Sequence, residues 1–388
     1  MHACMVAHAF YDCDNRIRRY AETLVKNGWT VDAFVLRQKN QPMRGTLKGV
    51  NLYRIQERTC REKSKFSYLL CLFKFLLCSM AWLGFKNVKK KYDIVHVHSV
   101  PDFEVFAAWL PKMMGAKIIL DIHDIVPELY LKKFNLNKNT CLYKLLLLSE
   151  KLSTRFADYV IIANHIWQKR LIGRSVSEKK CSTILNYPDP DIFFPCRKKG
   201  ANRNFTLLYP GTLSIHQGVG TVIKAMRLIK DNRSDIEFHI YGKGTDEEYF
   251  KGLSRQLDLC DVVFFKGLVS LEEVAVAMSN TDIGIEPKLA ELFSDEAFST
   301  KILEFMLLEV PIIASVTTIH NYYIGDDLVK YYPSGDEKAL ANAIVELRSD
   351  AQMRTRLVEN GKNFIAKNNW GVKKSEYLDV VDRLMKKK

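Results

Sequence analysis

Three charged residues within nine positions, Glu296, Lys301 and Glu304, define the chemistry open to this chain. They lie in SDEAFSTKILEFMLLEVPIIAS, residues 294–315. The spacing predicts a turn, then a helix start carrying two carboxylates and a cation, then a strand at Ile312, Ile313 and Ala314 that fixes the helix against a sheet. A helix start holds a phosphate through its free N–H groups and its dipole. A carboxylate further along accepts hydrogen bonds from sugar hydroxyls. His123-Asp124 is a second candidate, since an adjacent carboxylate can orient or charge an imidazole. A loop-closing hydrogen bond is the plainer use of that pair. Gly211, at a predicted strand end, allows close backbone approach to a phosphate. His96 and His98 suggest a metal by their spacing, but no carboxylate or cysteine cluster completes such a site in the sequence. They read as a polar strand end, and no metal is expected.

The elements that must hold these residues alternate between strand and helix. In the first half, strands are predicted at 5–7, 30–36, 93–98, 117–121, 158–163 and 182–186. Residues 16–27 and 142–156 have helical spacing, and Gly28 is a plausible helix stop. Residues 8–15 form a polar, aromatic loop. No G-x-G-x-x-G occurs there, so a dinucleotide cofactor is unsupported. Residues 193–204 are polar and basic, carry Pro195, and suit an interdomain linker. The pattern then restarts with strands at 205–209, 236–241, 262–265 and 283–286. Helices are expected at 219–229, 247–257, 271–278 and 336–363, with an amphipathic, basic helix closing the chain. This alternation implies two doubly wound α/β domains. Their extents are expected to be 1–195 and 196–369, with a last helix from about 370 packing back on the first domain.

The chain has 388 residues, 47% of them hydrophobic and 26% charged, which fits two ordinary globular domains. No secretory leader is evident. The nine cysteines are scattered without zinc spacing, as expected for reduced thiols in a cytoplasmic protein. The net charge of +14 is uneven. Residues 1–195 hold 31 Lys and Arg against 17 Asp and Glu, whereas 196–388 hold 27 of each. A basic half can meet nucleic acid, anionic lipid or a phosphorylated substrate. Nucleic acid is disfavoured, because the aromatics there lie in apolar runs and not among the basic residues.

Residues 68–85 are almost wholly apolar or aromatic, broken by Lys74. Arg61, Lys63 and Lys65 flank them on one side, and Lys86, Lys89, Lys90 and Lys91 on the other. A membrane span would place Lys74 near mid-bilayer at a cost of about 3 kcal/mol. A buried helix and a helix lying in the membrane interface remain open. The clustered cations favour the interface, with Lys74, Lys86, Lys89, Lys90 and Lys91 as membrane contacts.

Nine segments in order carry a family resemblance: NRIRRYAETLVKNGWTV, DIVHVH, DIHD, ILNYPD, LLYPGTLSIHQGV, IYGKG, FFKGLV, DIGIEP and EAFSTKILEFMLLEVPIIAS. Together they resemble the retaining glycosyltransferases of family 4. That resemblance implies the GT-B fold, two Rossmann-like domains facing across a cleft. Glu304 resembles the second glutamate of the family's E-x7-E, which binds the donor ribose. Glu296 resembles the first, which contacts the donor sugar. Gly211 and Thr212 match the glycine turn beside the donor diphosphate, and Val269 the place where backbone groups read the base. Gly242, in IYGKG, and Ile302, beside Lys301, complete the expected donor-binding set. His123 matches a histidine that reaches the transferred sugar, so the catalytic residues implied are His123 and Glu296. The chain departs from the family where an Arg and a Lys usually stand near the glycine turn, since Thr212 and Gln217 occupy those places. Lys301 or His216 is then expected to supply the missing charge.

The implied reaction moves a sugar from a nucleotide diphosphate sugar to an acceptor hydroxyl with retained configuration and without a metal. The basic, apolar first domain suits a polyprenyl-diphosphate-linked acceptor at an anionic inner membrane face, in bacterial surface polysaccharide assembly. A non-catalytic glycosyltransferase-like scaffold and a GT-B sugar-nucleotide epimerase are the alternatives.

Overall fold

The computed structural model describes residues 1–58, 65–133, 137–196, 204–231, 235–291 and 293–386. Arg61, Lys63 and most of the expected linker lie outside the described residues. The chain forms two compact units, Met1–Asn186 with Lys374–Lys388, and Tyr187–Lys373.

Among the described residues the first unit holds eight strands: β1 (His2–Ala7), β2 (Thr30–Arg37), β3 (Arg44–Leu47), β4 (Val50–Glu57), β5 (Ile94–His98), β6 (Lys117–Ile122), β7 (Tyr159–Ile162) and β8 (Cys181–Thr183). They run in the order β3-β4-β2-β1-β5-β6-β7-β8, parallel except for the β3–β4 hairpin. The hairpin lacks a hydrophobic alternation in β3 (RGTL), so sequence pattern does not reveal it. β1 and β5 are buried along their whole length, as expected for strands covered on both faces. The order reverses between β1 and β5. There the loop after β1 and the end of β5 come together, which is where open α/β sheets bind ligands.

The helix Lys65–Lys89 packs one stripe, including Leu72, Phe75, Leu83 and Asn87, into this unit. Over Ser67–Lys89 the helix is long and apolar enough to cross a membrane by length and composition, and 28% of its most apolar window is buried against the unit. The last helix, Trp370–Lys386, brings Tyr377 to His96 Nδ1 at 3.2 Å.

Among the described residues the second unit has six parallel strands: β9 (Phe205–Pro210), β10 (Ile236–Tyr241), β11 (Val263–Gly267), β12 (Ile283–Glu286), β13 (Ile312–Ser315) and β14 (Lys330–Tyr332), in the order β11-β10-β9-β12-β13-β14. Its core gathers Leu207, Phe238, Ile285 and Ile313 from the sheet with Val222 and Met226 from the helix Val219–Lys230. The order reverses between β9 and β12, so Gly211 and the residues after Glu286 share one edge. The helical stretch expected at 336–363 is two helices, Glu337–Ser349 and Ala351–Ile365. Asp350 ends the first and caps the second, its Oδ1 accepting from Met353 N–H at 2.8 Å.

Candidate active site

In the first domain a buried carboxylate organises the site. Arg16 grips Asp121 with two charge-assisted hydrogen bonds, Nε to Oδ2 and Nη2 to Oδ1, each 2.7 Å. Arg16 sits at the start of the helix Asn15–Lys26, whose first N–H groups are capped by Asp14. His123 Nε2 lies 3.0 Å from Asp121 Oδ2, and His98 Nδ1 3.2 Å from the same oxygen. Burial alone would raise the Asp121 pKa, but Arg16 and His123 hold it well below the usual carboxylate range. Burial keeps His96 and His98 neutral, pushing both pKa values down.

In the neutral tautomer that donates Nε2–H to Asp121, His123 keeps Nδ1 as an acceptor. Its side chain keeps 20% of its surface exposed, whereas Asp121 keeps none. His123 also lines a cavity of about 250 Å³ with His8, Asp14, Arg58, Tyr68 and Asp124. The sequence pairs His123 with Asp124; the structure adds the orienting carboxylate Asp121, two residues earlier on β6. A period-two strand puts Asp121 and His123 on one face, which is the signal that finds it.

The sequence also leaves His96 and His98 without a carboxylate, and here too Asp121 corrects the reading. The three residues bring their ligand atoms within 4.8 Å of one another. Arg16 binds both Asp121 oxygens and Tyr377 faces His96 Nδ1, so these groups already have partners within the protein.

The second domain supplies the other group. Glu286, at the end of β12, is fully buried, with Lys301 Nζ 3.0 Å from Oε2 and Lys288 Nζ 3.9 Å from Oε1. Burial opposes ionisation of Glu286, but Lys301 and then Lys288 lower its pKa to about 2. Burial would lower the Lys301 pKa, yet Glu286 raises it above the ordinary lysine range, so Lys301 stays charged. Two lysines therefore share one carboxylate, leaving the cluster one net positive charge. Glu286 and Lys288 are not evident as site residues in the sequence; only the sheet edge unites them with Lys301.

The glycine turn after β9 closes against this cluster. Gly211 N–H donates to Tyr241 O at 2.8 Å, and the open side of Gly211 is filled by Lys301 Cε and Tyr209 Oη. A Cβ on Gly211 would fall 2.7 Å from Lys301 Cε, so the lysine stem packs directly on this turn. A Cβ on Gly242 would lie 1.9 Å from Gly211 O, so Gly242 serves the packing of loop on loop. Gly218 has φ +75° and a Cβ there would fall 1.8 Å from Pro287 O. Only glycine lets the helix Val219–Lys230 start this close to β12. His216 and Gln217 precede it: His216 O accepts from Leu289 N–H at 3.0 Å, and Thr212 is exposed.

Glu304 and Lys301 are on the helix Thr300–Leu307, one turn apart. Glu296 is not on it. It sits in the preceding turn, so the expected helix start carries one carboxylate, not two. That turn is pinned by Lys288 Nζ on Ala297 O at 2.7 Å and by Asp295 Oδ1 accepting from Thr318 N–H at 2.8 Å. Ile302 is buried with its side chain in the core, so only its N–H is open to a ligand. Val269 lies half-buried just past β11.

His320 is buried beside this cluster and is held neutral: burial, then Lys288, lowers its pKa to about 4. Unfolding therefore takes up a proton between about pH 4 and 6.5, and stability is lost as pH falls through that range. Glu286, with its lowered pKa, adds a loss of the same sign below about pH 4.5. For His320 the expected loss from pH 7 to pH 4 is on the order of 3 kcal/mol. Urea unfolding at the two pH values in wild type and His320→Phe measures it. The variant should lose that part of the pH dependence, and an unchanged slope would refute the assignment.

Residues 13–186 match the family described as Glycosyl transferase 4-like domain, and residues 196–364 match Glycosyl transferases group 1. The chain belongs to the family 4 type of glycosyltransferase. A relative with 27% identity over 167 residues, 43% of each chain, is the phosphatidyl-myo-inositol mannosyltransferase of Mycobacterium leprae. The chain spans about half the length of the curated relatives it matches. Among solved structures, sucrose-phosphate synthase from Thermosynechococcus elongatus superposes with a TM-score of 0.80 at 20% identity over the whole of both chains. HepE of Anabaena, in complex with UDP-glucose, superposes with 0.71 at 14% identity over 98% of this chain and 99% of its own. Both likenesses are to the GT-B fold, as the sequence leads one to expect. In this family 4 chain the buried groups Asp121 and Glu286 stand at the C-terminal ends of β6 and β12.

Proposed function

We propose that the protein is a retaining glycosyltransferase that moves a sugar from a nucleotide diphosphate sugar to an acceptor hydroxyl. The observation that carries this is the cluster Lys288–Glu286–Lys301, a buried site with one surplus positive charge beside a glycine turn and a helix start. In the transfer, the bond from the anomeric carbon to the phosphate oxygen breaks and a bond to the acceptor oxygen forms. The acceptor's proton passes to the phosphate oxygen freed by that cleavage, and the nucleoside diphosphate departs. Negative charge grows on that leaving group, and fixed cations and N–H dipoles lower the barrier most where charge develops. Lys301 and the N–H groups of Thr300–Ile302 take that role, with Thr212, His216 and Gln217 around the diphosphate. This arrangement needs no metal ion.

Glu304 accepts from the donor ribose, the backbone at Val269 reads the base, and Glu296 holds the donor sugar. His123, oriented by Asp121, accepts from a hydroxyl of the transferred sugar through Nδ1. A nucleotide sugar as donor is supported by the UDP-glucose complex of HepE. A lipid-linked acceptor is supported by the mycobacterial relative, whose name gives phosphatidyl-myo-inositol as its substrate. The cation-rich first domain favours work at the inner face of a plasma membrane, on a polyprenyl-diphosphate-linked glycan of a surface polysaccharide.

A thermal-shift screen over nucleotide diphosphate sugars tests the donor. A ligand at a hundred times its dissociation constant adds about 2.7 kcal/mol of stability. Glu304→Ala is expected to remove that shift and transfer to any acceptor. No shift with any nucleotide sugar, or full transfer by Glu304→Ala, would reject the reading.

A further inference from the structure

We propose that the first domain carries a docking face for the interfacial region of an anionic bilayer. It is built from the helices Lys65–Lys89 and Cys141–Phe156 and from residues 102–113 between them. The first of these helices is evident in the sequence as a membrane candidate; the rest of the face is not. On Lys65–Lys89 the stripe opposite the buried one exposes Leu70, Phe73, Leu77 and Val88, with Leu77 63% exposed. On Cys141–Phe156 the exposed leucines are Leu142, Leu145, Leu148 and Leu152, with Leu145 58% exposed. Residues 102–113 join the two. Phe103 stacks on Phe73 at 5.6 Å, Phe106 meets Phe156 at 5.2 Å, and Trp109 and Met113 project outward beside them. The apolar surface is therefore continuous, and a monomer rarely leaves so much apolar surface uncovered.

The charges identify the occupant. The helices Lys65–Lys89, Trp109–Met113 and Cys141–Phe156 hold eight Lys and Arg in sequence and one carboxylate, Glu150. Glu150 is buried and bound by Arg174. The segment Asp102–Ala108 adds Asp102 and Glu104, both buried, whose carboxyls burial pushes up to about 7 and about 9. Every carboxylate of these elements is thus withdrawn from the surface. Lys74, Lys89, Lys90, Lys91, Lys144 and Lys151 remain exposed among the apolar side chains. Long lysine stems can lie on acyl chains while their ammonium groups reach phosphates. A second copy of the chain would set these cations against their own images across a two-fold axis, which disfavours self-association. Lys86 is turned inward to Tyr53 Oη at 2.6 Å and does not take part.

The same helix links this face to the cavity that holds His123, since Tyr68 lines that cavity and Leu70 lies on the outer stripe. An acceptor anchored in the bilayer can thereby present its polar end to the cavity. That use rests on the lipid-acceptor reading above, whereas the docking itself does not.

Flotation of the full chain with vesicles of phosphatidylcholine, alone or mixed with phosphatidylglycerol, tests the docking. Binding is expected only to the anionic vesicles. Each cation near an anionic surface contributes about fivefold in affinity. Lys89→Ala/Lys90→Ala/Lys91→Ala should therefore lower binding about a hundredfold. Leu145→Glu/Leu148→Glu, on the helix with no membrane signature in sequence, should lower it at least about tenfold. Both variants should keep the wild-type circular dichroism and the nucleotide-sugar thermal shift, which shows that they fold. Undiminished binding by the folded Leu145→Glu/Leu148→Glu variant overturns the face as drawn. A concentration-dependent dimer that this variant abolishes would assign the face to a second copy and also overturn the proposal. Loss of sugar transfer with flotation intact would count against the function alone.

Discussion

Asp121→Asn is expected to weaken the first domain by about 3–5 kcal/mol, because it leaves the Arg16 guanidinium buried without a counter-charge. It should also lower sugar transfer by about two orders of magnitude. The amide cannot hold His123 and Arg16 as the carboxylate does, and the ring is freed to turn or to take the other tautomer. The two effects separate in a double variant. Replacing a buried ion pair by apolar residues of similar size is commonly close to neutral for folding. Arg16→Met/Asp121→Leu should therefore regain much of the lost stability while transfer stays low. Denaturant unfolding and an initial-rate assay measure the two quantities. Normal transfer by folded Asp121→Asn would remove Asp121 from the site.

Lys301→Met is the second large change. It leaves Glu286 fully buried with Lys288 at 3.9 Å as its nearest cation. A loss of about 3 kcal/mol in the second domain is expected from that broken pair. Nucleotide-sugar affinity should fall about 10- to 100-fold, the worth of one hydrogen bond to a charged phosphate. Glu286→Leu/Lys301→Met should restore folding but not affinity, because the cation is still missing. An unchanged nucleotide-sugar thermal shift in that folded double variant would show that Lys301 only packs the loop around Gly211.

These two ion pairs mark the limit of what local pattern reveals. Lys301 is legible because it sits at a helix start between two glutamates. Its partner Glu286 reads as the last residue of an apolar strand, and Lys288 as part of the loop that follows. Arg16, likewise, reads as one of several cations on an amphipathic helix. Its function appears only when β6 brings Asp121 to it from 105 residues away.

Sequence by itself determined the strand–helix alternation, the two domains and the family, since these follow from periodicity and from motifs written in consecutive residues. It also placed His123, Lys301 and Glu304 at strand ends and a helix start. Tertiary structure alone decided which charges neutralise one another, that Glu296 precedes its helix, and that Gly242 makes room for the backbone oxygen of Gly211. It also decided that three separate elements share one apolar face while their carboxylates turn inward. The physical reason is the same in each case. Parallel strands are joined by long crossovers, so residues that meet at a sheet edge or on a helical face are far apart in the chain, and no local spacing encodes their contact.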